Sequence, residues 1–232
     1  MLLPSPGHDA GSICGRDSVL GLGMDEPVAP SRAAEAPEAE LCGDCMSIFI
    51  FDWDDTLFPT SALVASGPAA LEAAFKQIDV LATRLLKAAL AVPSSRVLLL
   101  TNANISWLHH SASEFLPCVG ALLERPPSNM SVVSAYKKRL EPVNPHEVAM
   151  QKAEVVSGLA PLYQEEIDAV GARACQVLSI GDSPHDLEAA HLLAGHLDTE
   201  RVYVKTVAMQ PRPREGELLG ELRALGQAMP SL

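Results

Sequence analysis

Residues 47–57 have the sequence SIFIFDWDDTL, in which a short apolar run ends abruptly in acidic residues. The run 47–51 has no helical period and is rich in residues that favour β-structure, so it predicts a buried strand of a parallel sheet. Similar runs recur along the chain at residues 97–100, 131–133, 177–180 and 202–204. The sequence therefore predicts a sheet of about five strands.

Helical patterns lie between these runs. In residues 68–91, apolar side chains recur every three or four residues and so share one helix face: Leu71, Phe75, Ile78, Ala82, Leu85 and Ala89. Further helices are predicted at residues 146–159, 161–172, 186–193 and 215–229. This alternation predicts an α/β fold, with a doubly wound, Rossmann-like, mostly parallel sheet between two helical layers.

The first 45 residues differ from the rest of the chain. They contain no aromatic residue, and their two Arg and eight Asp or Glu account for −6 of the net charge of −12. A segment so poor in large apolar groups buries too little surface to offset the entropy lost on ordering. We therefore expect residues 1–45 to form a disordered acidic tail, either an inert extension or a docking arm, and residues 46–232 to form one α/β domain.

Charge and composition exclude several classes of protein. The acidic excess argues against a general nucleic-acid binder, which needs a basic surface. No apolar run approaches the roughly 20 residues of a membrane helix, so no membrane partner is expected. The five cysteines form no disulfide scaffold, and the N-terminus has no secretory pattern. We therefore expect a cytoplasmic protein with reduced thiols.

Polar residues follow three of the predicted strands, where the ligands of such a sheet bind. In chain order they are Asp52, Asp54, Asp55, Thr101, Asn102, Asp182 and Asp186. Each alone is as typical of a turn or a helix cap as of a functional site. Together they predict an oxygen-rich site. Acids so close together are tolerated when a cation neutralises them, for which Mg²⁺ is suited, or when they share a proton. Lys152, on the helix before the fourth run, adds an ammonium group.

This combination resembles the haloacid dehalogenase-like superfamily of hydrolases. The first motif matches residues 52–57, the second Thr101, the third Lys152, and the fourth Gly181-Asp182 with Asp186. The resemblance covers about residues 46–207. For the third motif, Lys137 and Lys138 are alternatives to Lys152.

The resemblance implies a Mg²⁺-dependent phosphatase that hydrolyses a phosphate monoester through an aspartyl-phosphate. It makes Asp52 the nucleophile and Asp54 the general acid and base. Thr101, Asn102 and Lys152 would hold the phosphoryl oxygens. The metal would be held by Asp52, Asp54 through its backbone carbonyl, Asp182 and Asp186. No role is implied for Asp55.

Two other functions remain open at this point: a catalytically idle scaffold or regulator of the same fold, and a phosphotransferase whose acceptor is not water. Neither of the two long gaps between the motifs comfortably holds a cap domain, so we expect little or no cap and an open site for a phosphorylated small molecule or phosphoprotein. Phe58, Trp107 and residues 137–139 are possible contacts at its rim, or else packing and surface residues. The pairs Cys42/Cys45 and His109/His110 are not expected to bind metal.

Overall fold

The computed structural model of the protein describes residues 45–137 and 145–229, with side chains described from residue 150 in the second range. Within these ranges five strands form the sheet: β1 Cys45–Phe51, β2 Ser95–Thr101, β3 Met130–Ser134, β4 Ala174–Gly181 and β5 Arg201–Ala208. Seven helices join or follow them: α1 Thr60–Ser66, α2 Pro68–Ala91, α3 Ile105–Phe115, α4 Pro117–Glu124, α5 Pro145–Val170, α6 Pro184–Gly195 and α7 Glu215–Ala228.

All four strand pairs are parallel, and the strand order is β3-β2-β1-β4-β5. The chain moves from β1 to β2 and β3 on one side, and then returns to place β4 on the other side of β1. The direction of winding thus reverses between β1 and β4, which is where doubly wound sheets bind ligands. The predicted three-layer α/β fold is confirmed.

Side chains of β1 alternate between two cores, one on each face of the sheet. Phe49 and Phe51 belong to a cluster that includes buried residues of α2, α3, α4 and α7. Ile48 and Ile50 belong to the opposite cluster, which includes buried residues of α5 and α6. Because successive strand residues point to opposite faces, a strand buried on both faces is apolar throughout. This explains the uninterrupted apolar run that precedes Asp52.

The prediction of two helices at residues 146–159 and 161–172 is wrong, because α5 is one helix with Pro161 inside it. Proline removes a helical hydrogen bond and normally ends or kinks a helix. Here the buried face continues through the proline, with Val156 and Ala160 before it and Tyr163 and Ile167 after it. Their spacing of four, three and four residues keeps the helix on the sheet despite the local cost.

Some expectations fall on residues outside the described ranges. They include the proposed acidic tail up to residue 44, and the alternative lysine Lys138 with its neighbour Arg139. In the part of the chain that is described, no helix is both long and apolar enough to cross a membrane.

Candidate functional site

The chain makes a tight turn directly after β1. The backbone N–H of Asp52 donates to the Ile180 carbonyl at 3.0 Å, which ties Asp52 to the neighbouring strand β4. The Trp53 carbonyl then accepts the N–H groups of residues 56, 57 and 58 at 3.3, 3.0 and 2.9 Å. Asp55 takes a φ of 60°, a left-handed conformation that Asp tolerates better than most residues. The turn thereby fixes Asp52 beside the end of β4.

Lys152 lies at the centre of the site, on α5. Its Nζ donates to Asp52 Oδ1 at 2.6 Å and also to Asp186 Oδ1. Only 3% of Lys152, 6% of Asp52 and 3% of Asp186 is exposed, so all three charges are shielded from water. One ammonium group therefore bridges two carboxylates, and their residues are separated from Lys152 by 100 and 34 positions in the sequence.

Asp186 is held by the first turn of α6. Its Oδ2 accepts the Ser183 N–H at 2.9 Å and the Ser183 hydroxyl at 2.6 Å, while the Ser179 hydroxyl donates to its backbone carbonyl at 2.6 Å. A Cβ on Gly181 would lie 2.2 Å from the Asp186 Cβ, so the carboxylate occupies space that only glycine leaves open. Both Asp186 oxygens thus have protein donors.

The site can also accommodate a metal ion. Asp52, Asp182 and Asp186 each offer a carboxylate oxygen, and these oxygens lie within 4.8 Å of one another. Among the described residues, these three carboxylates face one ammonium group, that of Lys152, so the cluster has excess negative charge when all are ionised. Hard oxygen ligands and uncompensated negative charge both favour a divalent cation such as Mg²⁺. The donor set therefore fits the expected metal.

Burial dominates the electrostatics of the acids. The pKa of Asp52 is raised to about 7. Burial is the main cause, the ammonium of Lys152 opposes it, and the charge of Asp186 adds to the rise. Burial and the charges of Asp186 and Asp55 likewise raise the pKa of Asp182 to about 6. Burial alone would lower the pKa of Lys152, but its two carboxylate partners raise it to about 12. Lys152 is therefore the cation of the site at neutral pH.

Asp54 lies apart from this bridge and accepts three side-chain hydrogen bonds. Its Oδ1 receives the Thr60 hydroxyl at 2.5 Å and the Trp107 indole N–H at 3.0 Å. Its Oδ2 receives the Thr101 hydroxyl at 3.2 Å. The first and second strand ends are thus linked through one carboxylate.

Thr101 and Asn102 occupy the end of β2 as expected. The Thr101 hydroxyl, besides donating to Asp54, accepts the Ala103 N–H at 2.9 Å. Asn102 Oδ1 is buried and has no hydrogen-bond donor within the described ranges. A buried carbonyl oxygen without a donor is costly, so this amide is a candidate to bind a ligand or water.

The lysine alternatives can be compared in part. Lys137 is half-exposed and pairs with Glu154 on α5, whereas Lys152 touches Asp52. Lys138 lies outside the described residues. Of the two candidate lysines that the structure describes, Lys137 and Lys152, it is therefore Lys152 that lies at the cluster of acids.

Sequence reasoning missed Thr60 and Ser61, gave Asp55 no role, and offered Trp107 only as a rim contact or a packing residue. Asp55 accepts the Ser61 N–H at 2.7 Å and the Ser61 hydroxyl, and so fastens the turn to the start of α1. Thr60 and Trp107 both donate to Asp54. An acid followed six residues later by Ser or Thr, at Asp54/Thr60 and Asp55/Ser61, is the only sequence signal, and it is a weak one.

The other residues that the sequence singled out can be placed as well: Phe58, the pair His109 and His110, and Cys45. Phe58 is fully buried and stacks on Trp53 with ring centres 5.7 Å apart, so it belongs to the core rather than the rim. His109 and His110 are exposed on α3. Cys45 is a free, half-buried thiol at the start of β1, and Cys42 lies outside the described residues.

Comparison with known proteins gave no match: no family model fits the chain, and it matches neither a curated protein nor a solved structure. What the fold and the site define is therefore a class: a Rossmann-like α/β protein with a buried acidic cluster that could hold a metal ion.

Proposed function

We propose that the protein is a Mg²⁺-dependent phosphatase of the haloacid dehalogenase-like type, acting on a phosphate monoester through an aspartyl-phosphate. The observation that carries the proposal is the buried bridge from Lys152 to Asp52 and Asp186, with Asp182 beside it. A structural ion pair needs one acid for each base. Acids in excess of the base, gathered at the winding reversal, are expected where a cation and an anionic ligand meet.

Asp52 is the nucleophile in this proposal. One of its carboxylate oxygens attacks phosphorus, a P–O bond to Asp52 forms, and the bond from phosphorus to the leaving oxygen breaks. Lys152 keeps Asp52 in place and offsets the negative charge that the phosphoryl group brings. Lys152 is suited to this because its pKa, raised to about 12, keeps it charged.

Magnesium would be held by the side chains of Asp52 and Asp182 and the backbone carbonyl of Asp54, supported by Asp186. When bound, it would reduce repulsion between the carboxylate nucleophile and the phosphate and steady the charge of the transition state. Asp186 would support the metal through Oδ1, which accepts a bond only from Lys152 among the described residues, whereas Ser183 donates twice to Oδ2.

Asp54 is the proton carrier. It protonates the leaving oxygen in the first step, and as a carboxylate it then takes a proton from the water that attacks phosphorus. The second step releases inorganic phosphate and restores Asp52. The hydroxyl of Thr101 and the amide of Asn102 lie at the end of β2, where they would orient the phosphoryl oxygens.

The substrate approaches from an open edge. The segments after β1 and β2 form helices α1 to α4. The buried residues of these helices belong to the same core cluster as Phe49 and Phe51 and not to a separate cap. This favours a phosphorylated small molecule or phosphoprotein that needs little enclosure. Cytoplasmic location remains part of the proposal.

Hydrolysis of p-nitrophenyl phosphate tests the proposal. We expect activity with Mg²⁺ that EDTA abolishes, and a loss of about 10³-fold or more in Asp52→Asn, because the nucleophile is removed. Glu154→Gln, on the exposed side of α5, is the control and should keep full activity. Activity that persists in both EDTA and Asp52→Asn would contradict the proposal, whereas phosphate found on an added alcohol would indicate a phosphotransferase.

A further inference from the structure

Both tryptophans of the chain join α3 to the turn after β1, but they do so at different atoms. The Trp53 N–H donates to the Ser111 hydroxyl at 3.1 Å, and this bond is buried. In the second bond the donor lies on α3 and the acceptor in the turn: the Trp107 N–H donates to Asp54 Oδ1 at 3.0 Å. The Trp53 indole therefore fastens the turn to Ser111 on α3, whereas the Trp107 indole contacts the Asp54 carboxylate.

The Trp107 ring is held in a fixed orientation. It meets Phe58 edge to face, with ring centres 5.9 Å apart and planes at 84°. Phe58 in turn stacks on Trp53 and on Phe75. The Trp107 indole therefore packs against a cluster of aromatic rings that are themselves held in place. Within α3, the Trp107 backbone carbonyl accepts the Ser111 hydroxyl at 2.8 Å. An N–H presented by such a rigid group loses little freedom when it bonds to Asp54.

The donors are distributed unequally over the Asp54 carboxylate. A carboxylate oxygen has about two lone-pair sites, and Trp107 with Thr60 fills those of Oδ1. Oδ2 accepts only the Thr101 hydroxyl among the described residues, which leaves a site for a proton. The proton that Asp54 carries is therefore directed to Oδ2.

We propose that Trp107 and Thr60 are positioning residues for proton transfer: they saturate Asp54 Oδ1, so that Oδ2 exchanges the proton with the leaving oxygen and with water. This inference rests on the proposed function and deepens it. It also explains why a helix outside the four motifs places an indole at the site.

Leaving-group dependence distinguishes this role from a merely structural one. A general acid matters most for poor leaving groups, because these need the proton before the P–O bond breaks. In Trp107→Phe we expect kcat/KM to fall about tenfold for p-methylphenyl phosphate and about twofold for p-nitrophenyl phosphate, a part of the roughly 10²–10⁴-fold effect of general acid catalysis. Asp54→Asn should show the same trend more strongly.

Trp53→Phe is the matched control, since it removes an indole N–H that donates to Ser111 and leaves the three side-chain donors to the Asp54 carboxylate unchanged. It should change kcat/KM for both esters by the same factor. Equal losses for both esters in Trp107→Phe, or no loss, would overturn the inference. Inactive wild-type protein would instead overturn the proposed function.

The contact can also be tested without activity. The indole N–H signals of the two tryptophans in a ¹H–¹⁵N NMR spectrum are assigned from Trp53→Phe and Trp107→Phe. In Asp54→Ala the Trp107 signal should move and the Trp53 signal should move much less. A Trp107 signal that stays in place would overturn the inference whatever the activity.

Discussion

At the residue scale, Gly181 and Asp186 share one small space at the end of β4. A Cβ at position 181 would lie 2.2 Å from the Asp186 Cβ and 2.5 Å from its Cγ, far inside contact distance. These atoms are close to the backbone, so the overlap cannot be relieved by turning the end of a flexible side chain. The glycine is thus required by the carboxylate that holds Lys152.

We predict that Gly181→Ala lowers the free energy of unfolding by about 1–3 kcal/mol, the usual cost of overpacking. Because Asp186 must shift, the variant should also lose Mg²⁺-dependent activity. Urea unfolding and the p-nitrophenyl phosphate assay measure the two effects.

Gly220→Ala is the control for that variant. Gly220 lies inside α7, and a Cβ added there would have nothing within 4 Å, so alanine should raise stability by about 0.4–1 kcal/mol. If Gly181→Ala were as stable as wild type, the tight packing of Asp186 against β4 would be refuted.

At the element scale, a buried carboxylate on α2 caps another helix. Asp79, which is 4% exposed, accepts the backbone N–H groups of Cys118 and Val119 at 3.0 Å each. Those groups lie in the first turn of α4, where helical N–H groups lack partners within the helix. A residue 39 positions earlier in the chain therefore fixes where α4 begins.

We predict that Asp79→Ala lowers the free energy of unfolding by about 1–3 kcal/mol, because two buried N–H groups lose their acceptor. Asp79→Asn keeps one acceptor oxygen and should cost less. Thermal and urea unfolding of the two variants provide the comparison. An alanine variant within experimental error of wild type would show that the cap contributes nothing.

Helices with local signals could be predicted from the sequence, whereas those set by packing could not. The apolar period and Pro68 predict α2 with the bounds that the structure has. For α5, Pro161 is a local stop signal, and the buried residues on either side of it outweigh that signal. Helices α1 and α4 have only seven and eight residues, too few to show an apolar period, and the start of α4 also depends on the remote Asp79.

The same distinction applies to the candidate site. Asp52, Thr101 and Asp182 could be predicted because parallel strands bring their carboxyl ends to one edge. The contact of Trp107 with Asp54 could not, since it depends on how α3 packs against Phe58 and Trp53. Tertiary orientation of this kind leaves no periodic trace in a single sequence.

At the scale of the whole molecule, the acidic cluster couples stability to pH and metal. The raised pKa values of Asp52, about 7, and Asp182, about 6, mean that the folded protein binds protons there more tightly than the unfolded chain. Without metal, this contribution to stability is therefore lost as the pH rises from about 4 to about 7. Bound Mg²⁺ would replace those protons.

We predict that Mg²⁺ at about 100 times its Kd stabilises the protein by about 2.7 kcal/mol, which raises Tm by about 5–10 °C for a domain of this size. At one fixed Mg²⁺ concentration the rise should be larger at pH 8 than at pH 5, because protons compete for the carboxylates and so raise the Kd. Differential scanning calorimetry at both pH values measures it. Asp182→Asn should show a much smaller rise, and an equal rise in wild type and variant would place the metal elsewhere.

The central claim is that Asp52 carries the phosphoryl group, and chemical trapping tests it most directly. The protein is mixed with p-nitrophenyl phosphate and Mg²⁺, quenched in acid, reduced with borohydride and digested for mass spectrometry. Borohydride converts an aspartyl-phosphate to homoserine, so we predict homoserine at position 52 and unchanged aspartate at positions 54 and 182. Homoserine at another position, or none anywhere while phosphate is released, would contradict the account.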